Sequence, residues 1–150
     1  MSDDATRHQA GMTVRREVLG DPWVDRAQAR LNDFNGEFQN LITRYAWGEI
    51  WTRPGMERRT RSACVLSMMI ALGAWDEFRL HVRAAFNNGL CKDDIKEVIL
   101  QAAIYCGVPK ANHAIKEAES VVAEMEADGS LTGDNTDAAG FTRDLAEHGV

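Results

Sequence analysis

A histidine with a carboxylate one helical turn before it is the first feature of the sequence suited to chemistry. His81 follows Glu77 by four residues, and residues four apart lie on one face of a helix. A carboxylate in that position orients an imidazole and raises its pKa, which suits a group that transfers protons near neutral pH. The same spacing fits a partly buried histidine held by a local salt bridge, so spacing alone leaves both interpretations open.

A second candidate acid lies in the aromatic stretch YAWGEIW, residues 45–51. Trp47 and Trp51 are four residues apart and share a helix face. A Glu49 carboxylate between the two indoles would be desolvated, which raises its pKa and favours a general acid. The alternative is that Glu49 faces solvent while the tryptophans pack in a core or a subunit interface.

Arginines are concentrated next to this stretch, where only two glutamates accompany them. The arginines are Arg44, Arg53, Arg58, Arg59 and Arg61. An arginine binds a carboxylate through two parallel hydrogen bonds, so this local excess of positive charge suits an anionic small molecule. Solvated arginines paired with acids elsewhere in the chain are the alternative.

Composition excludes several classes of protein. The net charge of −6 and the pI of about 5.2 argue against general nucleic-acid binding, which needs a basic surface. No apolar run approaches the roughly 18–20 residues of a membrane span. The N-terminal Met-Ser-Asp-Asp lacks the basic start and apolar stretch of a secretory signal. We therefore expect a cytoplasmic protein that binds neither nucleic acid nor membrane.

The cysteines and the missing motifs narrow the chemistry further. Cys64, Cys91 and Cys106 are widely spaced and form no C-x-x-C pair, which fits small hydrophobic residues in a reducing compartment. No phosphate-binding glycine loop, H-E-x-x-H or G-x-S-x-G pattern is present. The sequence therefore gives no indication of nucleotide binding, zinc-dependent catalysis or serine-hydrolase chemistry.

The candidate residues must be positioned by helices. Apolar periodicity and turn signals predict helices over 6–19, 23–31, 38–51 and 57–72, an amphipathic helix around 78–86, and two more starting near 92 and 108. Asp21 is the expected N-cap of the second helix, and Asn87-Asn88-Gly89 a left-handed helix end. The apolar stretch 62–71 predicts a helix buried within the domain or between subunits. The expected architecture is one all-α domain over 1–127 and a polar tail over 128–150, with at most a short helix near 141–147.

Four segments together resemble the gamma-carboxymuconolactone decarboxylase family. They are GMTVRREVLGDPWVDRA (11–27), YAWGEIWTRPGMERRTRS (45–62), DEFRLHVRAAFNNGL (76–90) and IYCGVPKANHA (104–114). The resemblance implies an alkylhydroperoxidase D-like bundle of about six to seven helices. It also implies assembly as a homotrimer or homohexamer, with active sites near subunit contacts.

The resemblance also bears on the role of His81. The wider superfamily includes thiol peroxidases with C-x-x-C-x-x-x-H on one helix, and aligning that histidine with His81 places Ala74 and Glu77 at the two cysteine positions. Dithiol peroxidase chemistry is therefore not possible at this site. A histidine that remains without the thiols indicates acid–base work.

The activity that the resemblance implies is decarboxylation of 4-carboxymuconolactone to 3-oxoadipate enol-lactone and CO2, in the catabolism of protocatechuate, without any cofactor. His81, oriented by Glu77, is then the first choice for proton donor and Glu49 the second. The expected substrate-binding residues are Arg53, Arg58, Arg61, Trp47 and Trp51. Two alternatives remain: a thiol-dependent peroxidase that uses Cys64, and a non-catalytic oligomeric binding protein.

Overall fold

The structure, a computed structural model, describes residues 3–131. These residues form seven α-helices and one π-helical segment, and no strand occurs among them, which confirms the all-α prediction. The elements are α1 (Asp4–Leu19), α2 (Asp21–Ala29), α3 (Gly36–Ile42), the π-helical segment (Thr43–Ile50), α4 (Arg58–Leu72), α5 (Trp75–Asn87), α6 (Lys92–Cys106) and α7 (Val108–Ala127). None of the described helices is both long and apolar enough to span a membrane. The short helix predicted near 141–147 lies outside the described residues.

The chain divides into two compact units, Met1–Arg58 and Arg59–Val150, called the N-terminal and C-terminal units below. In the N-terminal unit, α1 packs chiefly against the π-helical segment and also contacts α2. In the C-terminal unit, α7 packs against both α5 and α6. The boundary predicted at 127/128 stays a prediction, but residues 128–131 belong to the packed part. Asp128 pairs with Arg83 at 3.3 Å, and Leu131 is only 4% exposed.

The helix predicted over 38–51 is present, but its second half is a π-helix. The α-helix ends at Ile42 and the chain continues as a π-helix, in which Trp51 N–H donates to the Ala46 carbonyl five residues earlier at 3.0 Å. The Thr43 hydroxyl donates to the Gln39 carbonyl at 2.8 Å where the geometry changes. Hydroxyls that bond back to a helical carbonyl are known to perturb a helix. Side-chain polarity alone does not distinguish the two helix types, because α- and π-segments bury similar residues.

Two predicted helix ends can be compared with the structure. The Asn88-Gly89 terminus is confirmed, since Gly89 has a φ of 93°, where a side chain would be strained. The cap predicted for α2 is one residue late: Gly20 is the N-cap and Asp21 lies inside the first turn. Asp21 instead accepts a hydrogen bond from Arg16 at 3.0 Å.

The core of the C-terminal unit joins all four of its helices. Its most deeply buried large side chains are Leu66, Ile70, Phe78, Val82 and Val121. The apolar helix α4 is not covered all round within this chain, because Met68 and Leu72 are 56% and 74% exposed. The sequence predicted that this helix is buried within the domain or between subunits. Burial within the domain accounts for only one of its faces.

Candidate active site

His81 lies on α5, one turn after Glu77, and is partly buried. The pKa of His81 is lowered from its ordinary value because burial disfavours the imidazolium, although the negative charge of Glu77 acts to raise it. The predicted effect of Glu77 on the pKa of His81 is therefore present, but the larger effect of burial, which the spacing did not predict, opposes it. Desolvation outweighs a nearby carboxylate that is itself exposed. The unliganded protein thus holds an imidazole that favours the neutral form at neutral pH.

A partly buried polar contact lies at the C-cap of α5, seven residues beyond His81. The side-chain amide of Asn88 donates to the Ser62 hydroxyl at 2.7 Å, and Ser62 is completely buried on α4. Sequence reasoning assigned Asn88 only to the helix end. The contact fixes the C-terminal end of α5 to the first turns of α4, so it also fixes the helix that carries His81.

A partly buried ion pair links α4 to the start of α6. Asp94 is 6% exposed and accepts hydrogen bonds from the Cys91 backbone at 2.9 Å and from Arg59 at 3.2 Å. Cys91 is the N-cap of α6, so this carboxylate both caps the helix and holds Arg59. Arg59, one of the clustered arginines, therefore already has a carboxylate partner.

Of the two interpretations of Glu49, the structure supports the one in which this carboxylate faces solvent and does not lie between the indoles. Trp47 and Trp51 stack on each other with ring centroids 5.2 Å apart, and both are buried. The Glu49 side chain is 47% exposed and pairs with Arg7 at 3.3 Å. The two tryptophans share a face as predicted, but the carboxylate lies on the other side of the π-helical segment and is solvated.

The remaining candidate arginines differ in their surroundings. Arg58 pairs with Glu17 at 2.6 Å, and its side chain stays 41% exposed. Arg53 is exposed in the loop before α4. Arg61 is partly buried on α4 with its Nε atom buried. Arg44 pairs with Asp4 and lies over the Tyr45 ring. Arg44 and Arg58 therefore both have acid partners, as the alternative interpretation expects, but only Arg58 is largely solvated.

Sequence reasoning overlooked the most deeply buried arginine of the N-terminal unit. Arg15 is 3% exposed on α1, and its guanidinium donates to the Thr43 hydroxyl at 3.2 Å and the Gln39 side-chain carbonyl at 2.9 Å. Nothing in the sequence distinguishes Arg15 from Arg16. The apolar periodicity places both residues on a helix but does not show which of them is buried. The structure buries Arg15 and leaves Arg16 paired with acids near the surface.

Within each unit, some of the expected residues are brought together. Glu77 and His81 share one face of α5, and Trp47 and Trp51 form one stacked pair. The fold and these groups define an all-helical protein that carries a partly buried histidine beside a carboxylate.

Comparison with known proteins identifies the family of this chain. Residues 36–120 match the model of the carboxymuconolactone decarboxylase family. The chain belongs to this family, as the resemblance of its four segments predicted.

Three relatives show how far the similarity extends. The chain is 49% identical over 123 residues to a 4-carboxymuconolactone decarboxylase of Acinetobacter baylyi, which covers 82% of this chain and 92% of that protein. It is 39% identical over 132 residues to a nitrosuccinic acid decarboxylase of Metarhizium robertsii, covering 83% and 92%. It is 62% identical over 47 residues to a 4-carboxymuconolactone decarboxylase of Pseudomonas putida, which covers 31% of this chain and 98% of that sequence.

Proposed function

We propose that the protein converts 4-carboxymuconolactone into 3-oxoadipate enol-lactone and CO2, in the catabolism of protocatechuate. The observation that carries this proposal is the 49% identity to a decarboxylase of that name over 92% of its length. Family membership supports the class of reaction. The near-full coverage supports the particular substrate, since the similarity is not limited to one shared motif.

The substrate supplies its own electron sink for this reaction. The leaving carboxylate is attached to the ring carbon next to the lactone oxygen, and a C=C bond conjugates that carbon with the lactone carbonyl. When the C–CO2 bond breaks, its electron pair moves through the double bond onto the carbonyl oxygen and gives a dienolate. One proton added to the ring carbon beside the carbonyl then forms the enol-lactone. The chain therefore has to supply a proton, hold the second carboxylate, and stabilise the growing oxyanion.

His81 is the proposed proton donor. Burial lowers the pKa of His81 in the unliganded protein, but a dianionic substrate beside it would raise that pKa, because an opposite charge favours the imidazolium. Glu77 acts in the same direction. Substrate binding would thus recruit the proton that the dienolate consumes. Glu49 is the second choice for this role, because its carboxylate is exposed and pairs with Arg7.

The arginines and tryptophans are proposed to bind the substrate. Arg53, Arg58 and Arg61 offer guanidinium groups to the retained carboxylate and the oxyanion. Arg58 would have to share its guanidinium with Glu17, or exchange it for the ligand. Trp47 and Trp51 would shield bound substrate from water as one stacked pair.

The direct test is to incubate the purified protein with 4-carboxymuconolactone and to measure both loss of absorbance and release of CO2. We expect both at the same rate, with enol-lactone as the product. Nitrosuccinic acid serves as the comparison substrate, because one relative is named for it. A protein that releases CO2 only from nitrosuccinic acid, or from neither acid, contradicts the proposal.

We also propose that copies of the chain assemble, as trimers or hexamers, through the uncovered face of α6. Leu100, Ile104 and Tyr105 on this helix are 53%, 78% and 81% exposed, and Val108 at the start of α7 is 69% exposed. Adjacent exposed apolar side chains of this size are typical of a protein contact surface. The exposed Leu72 of α4 provides a second apolar element for such contacts.

A further inference from the structure

Arg15 is a buried cation without a buried anion. Its only acceptors among the described residues are the Thr43 hydroxyl and the Gln39 amide oxygen, both uncharged. Its Nε atom is buried and has no hydrogen-bond partner there. The Trp23 ring, 5.4 Å from the guanidinium carbon, provides the third neighbour. The guanidinium thus has hydrogen-bonding capacity that this unit does not use.

Other arginines of the same unit show that acids are at hand for pairing. Arg7 pairs with Asp4 and Glu49, and Arg16 with Asp21 and Asp25. These arginines are more exposed than Arg15, so they need a partner less. Burial lowers the pKa of Arg15, yet a guanidinium stays protonated in proteins. A buried charge without an opposite charge destabilises the folded state. Residues that lower stability in this way are often retained because they serve function.

We propose that Arg15 is a binding site for the carboxylate of a small organic acid, in which a ligand oxygen takes the place of the Gln39 amide oxygen. The neutral oxygen now 2.9 Å from Nη2 marks the position of an acceptor. The Nε and Nη2 edge of a guanidinium presents two parallel N–H groups, which match the two oxygens of a carboxylate. Gln39 is only partly buried, so a rotation of its side chain opens the guanidinium to ligand.

The test uses binding and does not depend on the decarboxylation reaction. Thermal unfolding of the full chain is followed with increasing succinate, in a buffer without other carboxylates or phosphate, at constant ionic strength. We expect succinate to raise the melting temperature, since a ligand of the folded state stabilises it. Dimethyl succinate, which has the same carbon skeleton without charge, is expected to have no effect. Equal stabilisation by the ester overturns the proposal.

Two variants locate the effect. Gln39→Glu supplies a carboxylate from within the chain, so we expect higher stability without ligand and an affinity for succinate reduced about tenfold or more, on the scale of one charge-assisted bidentate contact. Gln39→Ala is the matched control, which removes the amide without adding charge and should bind succinate at least as well as the wild type. Unchanged affinity in Gln39→Glu overturns the proposal.

Arg15→Gln and Arg16→Gln form the second matched pair. Removing the Arg15 charge should abolish the succinate effect, whereas removing the charge of Arg16, which is more exposed and already paired with acids, should leave the effect intact. If Arg15→Gln does not fold, the Gln39 variants, which retain the guanidinium, decide the outcome. Titration with 4-carboxymuconolactone in place of succinate then shows whether the acid that binds here is the substrate or a different carboxylate.

Discussion

Gly11 of α1 lies directly against Gly48 of the π-helical segment. A Cβ atom on Gly11 would be 2.8 Å from the Gly48 nitrogen and 2.1 Å from the Thr43 carbonyl oxygen, and one on Gly48 would be 2.3 Å from the Arg7 carbonyl oxygen. These distances are too short for any side chain, so the two backbones meet without intervening atoms. The contact sets the position of the segment that carries Trp47 and Glu49.

Gly11→Ala should therefore destabilise the N-terminal unit. Its methyl group would meet backbone atoms that cannot rotate away, and overpacking of this kind costs about 1–3 kcal/mol or more. Gly36→Ala is the matched control, since nothing lies within 4 Å of its added Cβ. Chemical unfolding followed by tryptophan fluorescence measures both variants. Equal stability of the two would contradict the close backbone contact.

His81→Ala should lower kcat while leaving the protein folded. Proton transfer by a positioned side chain contributes about 10²–10⁴-fold to a rate, and the loss should fall in that range. The control is His113→Ala, because His113 of α7 is 48% exposed and stacks on Trp75 at the start of α5. Steady-state decarboxylation with circular dichroism of each variant provides the measurement. A His81→Ala enzyme with wild-type kcat rules out the donor role.

The pH dependence of the reaction should follow the protonation of His81. If its protonated form is the donor, kcat/KM falls as pH rises through the pKa of the unliganded protein, which burial places below the ordinary 6.5. The fall in kcat should come at higher pH, because bound dianion raises that pKa. Glu77→Gln removes a charge that raises the pKa, so it should move the kcat/KM limb to lower pH. If kcat/KM falls at the same pH in Glu77→Gln and in the wild type, the proposed effect of Glu77 on His81 is wrong.

Arg58→Gln should raise KM with little change in kcat if this arginine holds the retained carboxylate. The variant also breaks the ion pair with Glu17, and exposed pairs are worth about 0–1 kcal/mol. Glu17→Gln breaks the same pair while it keeps the arginine, and should leave KM unchanged or lower it. If both variants raise KM equally, the pair acts as a structural element and Arg58 is not a substrate ligand.

Ile104→Asp should dissociate the assembly by placing a charge in the proposed contact surface. Ile104 is 78% exposed, so the change should not disturb the fold of the single chain. Glu97→Gln, elsewhere on α6, is the control. Light scattering after size-exclusion chromatography measures the mass of each. A wild-type mass in Ile104→Asp excludes this face, and a monomeric wild type excludes assembly itself.

Local patterns were sufficient to predict much of this fold. Apolar repeats at helical spacing depend on neighbouring residues alone, and they placed α1, α4, α5, α6 and α7 within a few residues of their observed bounds. Likewise, Trp47 and Trp51 had to share a face because they are four residues apart. The four family-like segments predicted the family, since their order and spacing are written in the chain.

Tertiary structure decided whatever depends on groups distant in the chain. The pKa of His81 is lowered because the effect of burial on the imidazolium is larger than the opposing effect of the Glu77 charge. Arg15 is buried and Arg16 is not because α1 packs against the π-helical segment on one side only, and Gly11 meets Gly48 across 37 positions of sequence. Burial and the choice of partner depend on many such distant neighbours. For this reason the sequence predicted the family but not the buried Arg15.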